Sequence, residues 1–245
     1  MNSSAWYERY FGPDYLRIYR LADTPDQLAF LEREVRLPPG GRLLDVCCGH
    51  GRHATVLAQR GLRVTGFDLS AVFLRLAQER ARETGVPLEL VRADVRAFPF
   101  RTATFDMAIS MFTSFGYFDD DRENAGVLHE VARVLKPGGR YILDLANLDF
   151  VRHQPPTSQW EHQGTQVVTS YTYHESSRRA ITRRTATFPD GRQEVYESSV
   201  RMYEKDEIES LLAEAGLRVS AIYGSYAGEP LHPSRKRMIL ISERG

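Results

Sequence analysis

Short apolar runs and amphipathic stretches alternate along most of the chain. Residues 41–47, 62–68, 88–92, 105–111 and 140–145 are runs of strand length, bounded by polar or turn residues. Between them, 53–61, 71–84 and 122–134 place apolar side chains at helical spacing. Ser70 supplies an N-cap for the second of these helices, and Gly61 and Gly85 stand where a helix would stop. Lys136-Pro137-Gly138-Gly139 predicts a tight turn into the fifth strand. Strand and helix in regular alternation imply a parallel sheet covered by helices on both faces, an α/β fold. Such sheets bind ligands beyond the carboxyl ends of their strands. Asp45, Asp68, Asp94 and the region of Met111 all fall at those ends.

After the fifth strand the pattern changes. Residues 167–174, 179–188 and 193–203 predict three successive β-strands, with turns at Ser176-Ser177 and Pro189-Asp190-Gly191. Threonine, tyrosine and arginine occupy both faces, so the segment is expected to be a β-ribbon with one exposed side. A helix over 205–215, stopped by Gly216, and strands over 217–223 and 237–242 complete the chain. Before residue 40, helices are expected over 13–19 and 24–35, in a segment carrying Trp6, Tyr7, Tyr10, Phe11, Tyr15 and Tyr19. The organisation is therefore a helical lid (1–39), an α/β core (40–150), a β-ribbon forming a roof over the site or a dimer contact (151–203), and a segment completing the core (204–245).

Composition narrows the setting. Acidic and basic residues balance at 32 each, so no strong field favours a nucleic acid or an anionic membrane. No apolar run approaches the roughly 18 residues of a membrane-spanning helix. The opening residues lack the pattern of a secretion signal, and Cys47 and Cys48 are adjacent, which disfavours a disulfide between them. A reducing cytoplasmic setting is the expectation. Only Lys136, Lys205 and Lys236 are lysines. Arginine is thus the default cation, and a single arginine points weakly to function.

The densest chemistry lies in Leu43-Leu44-Asp45-Val46-Cys47-Cys48-Gly49-His50-Gly51-Arg52. It reads as a buried strand, a glycine turn, and the start of a helix whose free N–H groups suit a ligand carboxylate or phosphate. Cys47, Cys48, His50 and His53 crowd together, but zinc sites need spaced ligand pairs, so no metal is expected. Gly49-x-Gly51-x-x-Ala54 fits a relaxed dinucleotide fingerprint, with Asp68 placed for a ribose. Asp45 at the strand end instead suits a ligand amine. Asp94 with Val95 offers a side-chain acceptor and a backbone donor to an adenine, with a helix N-cap as the lesser alternative for Asp94.

Taken in order, Asp45-x-Cys47-Cys48-Gly49-x-Gly51, Asp68, Asp94 and Leu135-Lys136-Pro137-Gly138-Gly139 resemble the class I S-adenosylmethionine-dependent methyltransferases. The resemblance implies a Rossmann-like, doubly wound, seven-stranded sheet with its last strand antiparallel and a β-ribbon insertion after the fifth strand. It implies S-adenosyl-L-methionine as cofactor, with Asp45 holding the methionyl amine and Cys47, Gly49 and Gly51 near the methionyl and ribose groups. It places Asp68 and Leu69 at the ribose, Asp94 and Val95 at the adenine, and the backbone of Ser110 and Met111 beside the methionyl part. Cys47 stands where the commonest form of the motif has glycine, so a positive φ there would mean a strained turn. The segment from Met111 to Phe118 is also similar to that of methyltransferases acting on amino sugars. Tyr117 is the candidate catalytic side chain; Tyr15, Tyr19, Phe112, Arg201 and Tyr203 are candidate acceptor contacts. The implied activity is methyl transfer to nitrogen or oxygen of a small molecule, with a homodimer possible. A nicotinamide-dependent oxidoreductase and a non-catalytic cofactor-binding module are the competing expectations.

Overall fold

The computed structural model describes residues 9–19 and 24–245; Trp6 and Tyr7 lie outside them. Among the described residues, helices α1 (Tyr15–Ile18) and α2 (Thr24–Glu34) precede the first strand. The alternating part follows as β1 (Arg42–Val46), α3 (Arg52–Gln59), β2 (Arg63–Asp68), α4 (Ala71–Thr84) and β3 (Glu89–Arg92). It continues through β4 (Phe105–Ser110), α5 (Asp121–Val134) and β5 (Leu135–Ala146). After α6 (Leu148–His153) come β6 (Thr157–His162), β7 (Thr165–His174), β8 (Arg179–Thr187) and β9 (Gln193–Arg201). The chain closes with α7 (Lys205–Glu214), β10 (Leu217–Tyr223) and β11 (Arg237–Arg244).

Seven strands form one sheet in the order β10-β11-β5-β4-β1-β2-β3. The five strands β1 to β5 run parallel, and β11 pairs antiparallel with both β5 and β10. This is the topology implied by the resemblance. The two-residue period of the strands separates the core into layers. Leu43, Met107, Ile142 and Ile239 pack on one face, while their neighbours Leu44, Ala108, Leu143 and Leu240 pack on the other. Each large apolar side chain removed from water contributes roughly 1.5–3 kcal/mol, so a one-residue register slip would disrupt both layers.

Local chemistry fixes the ends of the elements. The Ser70 hydroxyl accepts from the Phe73 N–H at 3.2 Å, and Gly85 ends α4 with φ 68°. Asp120 caps α5 by accepting from the Arg122 N–H at 2.8 Å. The Lys136 to Gly139 turn lies within β5 as a bulge, since Phe105 pairs with Leu135 and Met107 with Arg140. Asp45 pairs with Gly66 and Asp68 with Arg92, which puts both acids on the carboxyl rim of the sheet.

The insertion is a four-stranded antiparallel sheet, β6-β7-β8-β9, rather than a ribbon of three strands. The pattern did not reveal β6 because Trp160 is its one large apolar residue and the strand is mostly exposed. It is an edge strand held by backbone pairing to β7. The strand expected over 193–203 stops at Arg201. Helix α6 was likewise unforeseen; Asn147 caps it by accepting from the Asp149 N–H. Val167, Ala186 and Tyr196 of the second sheet pack with Tyr10, Tyr15, Ile18 and Phe73, joining it to the N-terminal segment and to α4.

Candidate functional site

A cavity of about 1200 Å³ opens over the carboxyl rim of β1, β2 and β4 and extends under the second sheet. Single drug-sized ligands occupy roughly 300–1,000 Å³, so this space suits two molecules side by side.

One end is built by the turn after β1 and the residues after β2 and β3. Asp45 is 1% exposed, and its Oδ2 has no hydrogen-bond partner. Burial, reinforced by the charge of Asp68 and opposed by Arg52, raises its pKa to about 7. The Asp68 carboxylate accepts from the Gly49 N–H at 2.9 Å and from the Ser70 N–H at 2.8 Å. Burial raises its pKa, and these backbone donors oppose the rise. The two acids therefore share a dry rim, one fixed by the backbone and the other open to a cation. Cys47 does adopt positive φ, at 56°, so a conformation that favours glycine is imposed on a cysteine. Arg52 is 7% exposed, donates to the Thr24 hydroxyl at 2.6 Å and lies over the Phe112 ring. Among the described residues it has no carboxylate partner.

Asp94 and Val95 also line the cavity. Asp94 is no helix cap: it accepts from the Arg96 N–H at 2.9 Å and from the Arg96 guanidinium at 2.6 Å. The hydrogen bond from Arg96 lowers its pKa. His50 and His53 are buried and held neutral, His50 with its pKa pushed down to about 4 by burial; His53 shares a hydrogen bond of 2.8 Å with Gln27. Among the described residues no three His, Cys, Asp or Glu side chains are grouped to hold a metal ion.

The other end is walled by the loop after β4. Phe112 and Thr113 both have φ 60°, a strained conformation that the surroundings must enforce. Asp144 of β5, 0% exposed, enforces it by accepting from the Phe112 N–H at 2.8 Å while its carbonyl accepts from the Thr113 N–H at 2.9 Å. Tyr226 donates to the same carboxylate at 2.8 Å, and Arg237 donates through Nε at 2.7 Å. Tyr15 and Tyr19 stack at 5.0 Å and line the cavity from the N-terminal side; Tyr117 meets Phe11 edge to face.

Asp45, Cys47, Gly49, Asp68, Leu69 and Met111 thus share the cavity with the four aromatic candidates Tyr15, Tyr19, Phe112 and Tyr117. Four expected site residues do not line it. Gly51 serves helix packing, since a Cβ there would lie 2.8 Å from the Ala77 Cβ. Ser110 is buried below the rim, where its Oγ accepts from the Tyr141 hydroxyl at 2.8 Å. Arg201 turns to Asp121 and Glu207, and its N–H donates to the Gly116 carbonyl at 2.7 Å. Tyr203 packs on Phe115, beneath the Arg201 guanidinium. Both fasten the second sheet to the loop behind the cavity wall. Sequence reasoning missed Arg52, Arg184, Arg237 and Asp144. Only Asp144 had a signal, an acid inside an apolar strand.

A family profile described as a methyltransferase domain matches residues 43–139, the segment that builds this rim. Over those residues the chain is similar to a methyltransferase domain, and its seven-stranded sheet with β11 antiparallel is the fold expected of the class I S-adenosylmethionine-dependent methyltransferases. The chain is 30% identical over 134 residues to the putative methyltransferase YqeM of Bacillus subtilis, covering 55% of this chain and 54% of that protein. The chain therefore spans about half the length of that relative. It is 28% identical over 219 residues to the cypemycin N-terminal methyltransferase of a Streptomyces species, 84% of each chain. In fold it resembles CalS10, an amino pentose methyltransferase from Micromonospora echinaspora, with a TM-score of 0.67, 24% identity, and coverage of 91% and 90% of the two chains. The residues of the rim fit the cofactor of this family. A buried acid with an unpartnered oxygen meets an ammonium, and a guanidinium without an acid meets a carboxylate. The dinucleotide alternative loses its footing in the turn, because the second glycine of that fingerprint must approach a pyrophosphate, and Gly51 packs against α4 instead.

Proposed function

We propose that this enzyme transfers a methyl group from S-adenosylmethionine to a nitrogen or oxygen of a small molecule. The observation that carries the reading is a buried acid and a buried guanidinium on one edge of the cavity, Asp45 with an unpartnered oxygen and Arg52 with no ion pair among the described residues. A zwitterionic amino-acid tail answers both at once. In this reading Asp45 takes the ammonium, Arg52 the carboxylate, and Cys47, Gly49 and Met111 border the tail. Asp68 and Leu69 hold the ribose, and Asp94 with Val95 the adenine.

The cofactor, when bound, supplies an electrophilic methyl on a sulfonium. The protein positions the acceptor and excludes water, which by itself accounts for much of the acceleration in a well-oriented transfer. Burial holds the Tyr117 hydroxyl well above its ordinary pKa. It stays protonated and orients the acceptor heteroatom as a hydrogen-bond donor, not as a base. Tyr15, Tyr19 and Phe112 give the acceptor an aromatic wall. The second sheet is a roof more than a dimer contact, since its inner face lines the cavity while Val168 is the one large apolar side chain exposed among the described residues.

Balanced charge favours a small acceptor over a nucleic acid. Among the described residues no helix is long and apolar enough to cross a membrane, and two free, adjacent cysteines fit a reducing cytoplasm. Isothermal titration tests the reading. S-adenosylhomocysteine should bind at micromolar or tighter affinity and NADH should not; NADH binding without adenosylhomocysteine binding would overturn it.

A further inference from the structure

Among the described residues, every arginine lining the cavity has an acid partner except two. Arg96 holds Asp94 and Glu123, Arg152 holds Glu175 and Glu204, and Arg237 holds Asp144. Arg52 is matched to the carboxylate of the cofactor in the reading above. Arg184 is left. It sits on β8 of the roof, 7% exposed, with its guanidinium 4.4 Å from the Tyr19 ring centroid and donating to the Tyr10 hydroxyl. The groups that act on it electrostatically are tyrosines; among the described residues no Asp or Glu pairs with it.

A guanidinium so enclosed is costly unless an anion joins it, because neutral hydroxyls and ring faces return only part of its hydration. Its position matters as much as its charge. Antiparallel register puts Thr182, Ser198 and Tyr171 on the same face of the roof as Arg184, and all four line the cavity. Hydroxyl donors therefore flank the cation on the acceptor side, away from the acids of the rim. Among the described residues, the face of the roof that lines the cavity carries one positive charge without an acid partner, which suits a monoanion with two coplanar oxygens better than a dianion.

From this geometry we infer that the methyl acceptor carries a carboxylate, and that Arg184 binds it. This inference rests on the methyltransferase reading and names the acceptor class within it. It also supplies an orientation. The carboxylate is drawn to the roof, and the nucleophilic nitrogen or oxygen, at the other end of the acceptor, faces Tyr117 and the methyl group.

The test uses the full-length protein saturated with S-adenosylhomocysteine, with benzoate, benzamide and phenyl phosphate as probes in isothermal titration. Benzoate should bind about tenfold or more tightly than benzamide, as expected for a charged hydrogen-bonded pair. The R184Q protein should lose that preference while keeping its affinity for adenosylhomocysteine within twofold, and R184K should retain part of it. Equal affinity for benzoate and benzamide, tighter binding of phenyl phosphate, no binding of benzoate, or an unchanged preference in R184Q would each overturn the inference. Should R184Q fail to fold, as shown by thermal melting, the wild-type comparison and R184K decide the matter. If the wild-type protein fails to bind adenosylhomocysteine at all, the methyltransferase reading itself falls, which tells the two failures apart.

Discussion

The two ends of the cavity are built on opposite plans. At the cofactor end, short acidic side chains stand on consecutive strand ends, and the backbone places them: Gly49 and Ser70 N–H groups grip Asp68, and β1 carries Asp45 to the rim. At the acceptor end, long arginines and aromatic rings arrive from four regions of the chain and place one another. Phe112 lies against Arg237, and Tyr19 against Arg184. Rigid strand ends suit a ligand that must always be held in the same way. A wall made of interlocking side chains can be rebuilt for a new acceptor without disturbing the sheet.

The largest effect expected from breaking this arrangement lies at Asp144. Replacing it with alanine strands the buried Arg237 charge, a change that typically costs about 3–5 kcal/mol of stability. It also releases the Phe112 and Thr113 amides. Chemical denaturation should show that loss, and adenosylhomocysteine affinity at a temperature where the variant is folded should fall far less than acceptor turnover. Equal losses would mean that the two ends are one unit.

Next comes the rim itself. Asp45→Asn and Asp68→Ala should each weaken adenosylhomocysteine binding tenfold or more, from lost charge-assisted hydrogen bonds worth about 1.5–3 kcal/mol. Titration calorimetry reads this directly, and an unchanged affinity would remove that residue from the site.

A smaller, signed effect follows from the pKa of Asp45, raised to about 7 in the unliganded fold. The folded state binds this proton more tightly than the unfolded chain does. Its contribution to stability is therefore complete below pH ~4, the ordinary range of an aspartate, and fades as pH rises through about 7. Cofactor affinity should run the other way, dropping up to about tenfold per pH unit below 7 as Asp45 takes up a proton and can no longer pair with an ammonium. Asp45→Asn should flatten both profiles and gain on the order of 1–3 kcal/mol in the unliganded protein at pH 8. Parallel pH slopes for stability and binding would refute this assignment.

The smallest effect belongs to Tyr117. If its hydroxyl only orients the acceptor, Tyr117→Phe should lower kcat/KM roughly fivefold, the size of one neutral hydrogen bond of about 1 kcal/mol. The pH profile should keep its shape. A new pH dependence in the variant would show that the hydroxyl carries a proton in the reaction.

Much of the cofactor end was legible in the chain because each of its features is local. A strand end, a turn and a helix cap are encoded within a few residues, and Asp45, Asp68 and Asp94 recur at equivalent points of the repeating pattern. Contacts between distant segments set which expected residues there do not line the cavity. Gly51 looked like part of a ligand cradle because a glycine in a turn says only that a Cβ is unwelcome; that Ala77 is what excludes it depends on how α3 and α4 pack. Ser110 sits one residue too deep, against Tyr141. In the roof, the exposed edge strand β6 lacked an apolar signature, and Arg201 and Tyr203 looked available because nothing local shows Glu207 and Phe115 waiting for them.

The sequence by itself determined the layered α/β core, the parallel order of its first five strands, and the acids on its rim. Hydrophobic period, turn chemistry and capping act over a few residues and need no partner from elsewhere to be read. Only the tertiary structure decided which arginines meet an acid and which remain unmatched. The charge of a guanidinium is written in the chain, but its surplus is a sum over neighbours that folding brings together. In a protein that uses arginine almost everywhere, that sum distinguishes Arg52 and Arg184 from the other arginines that line the cavity, among the described residues.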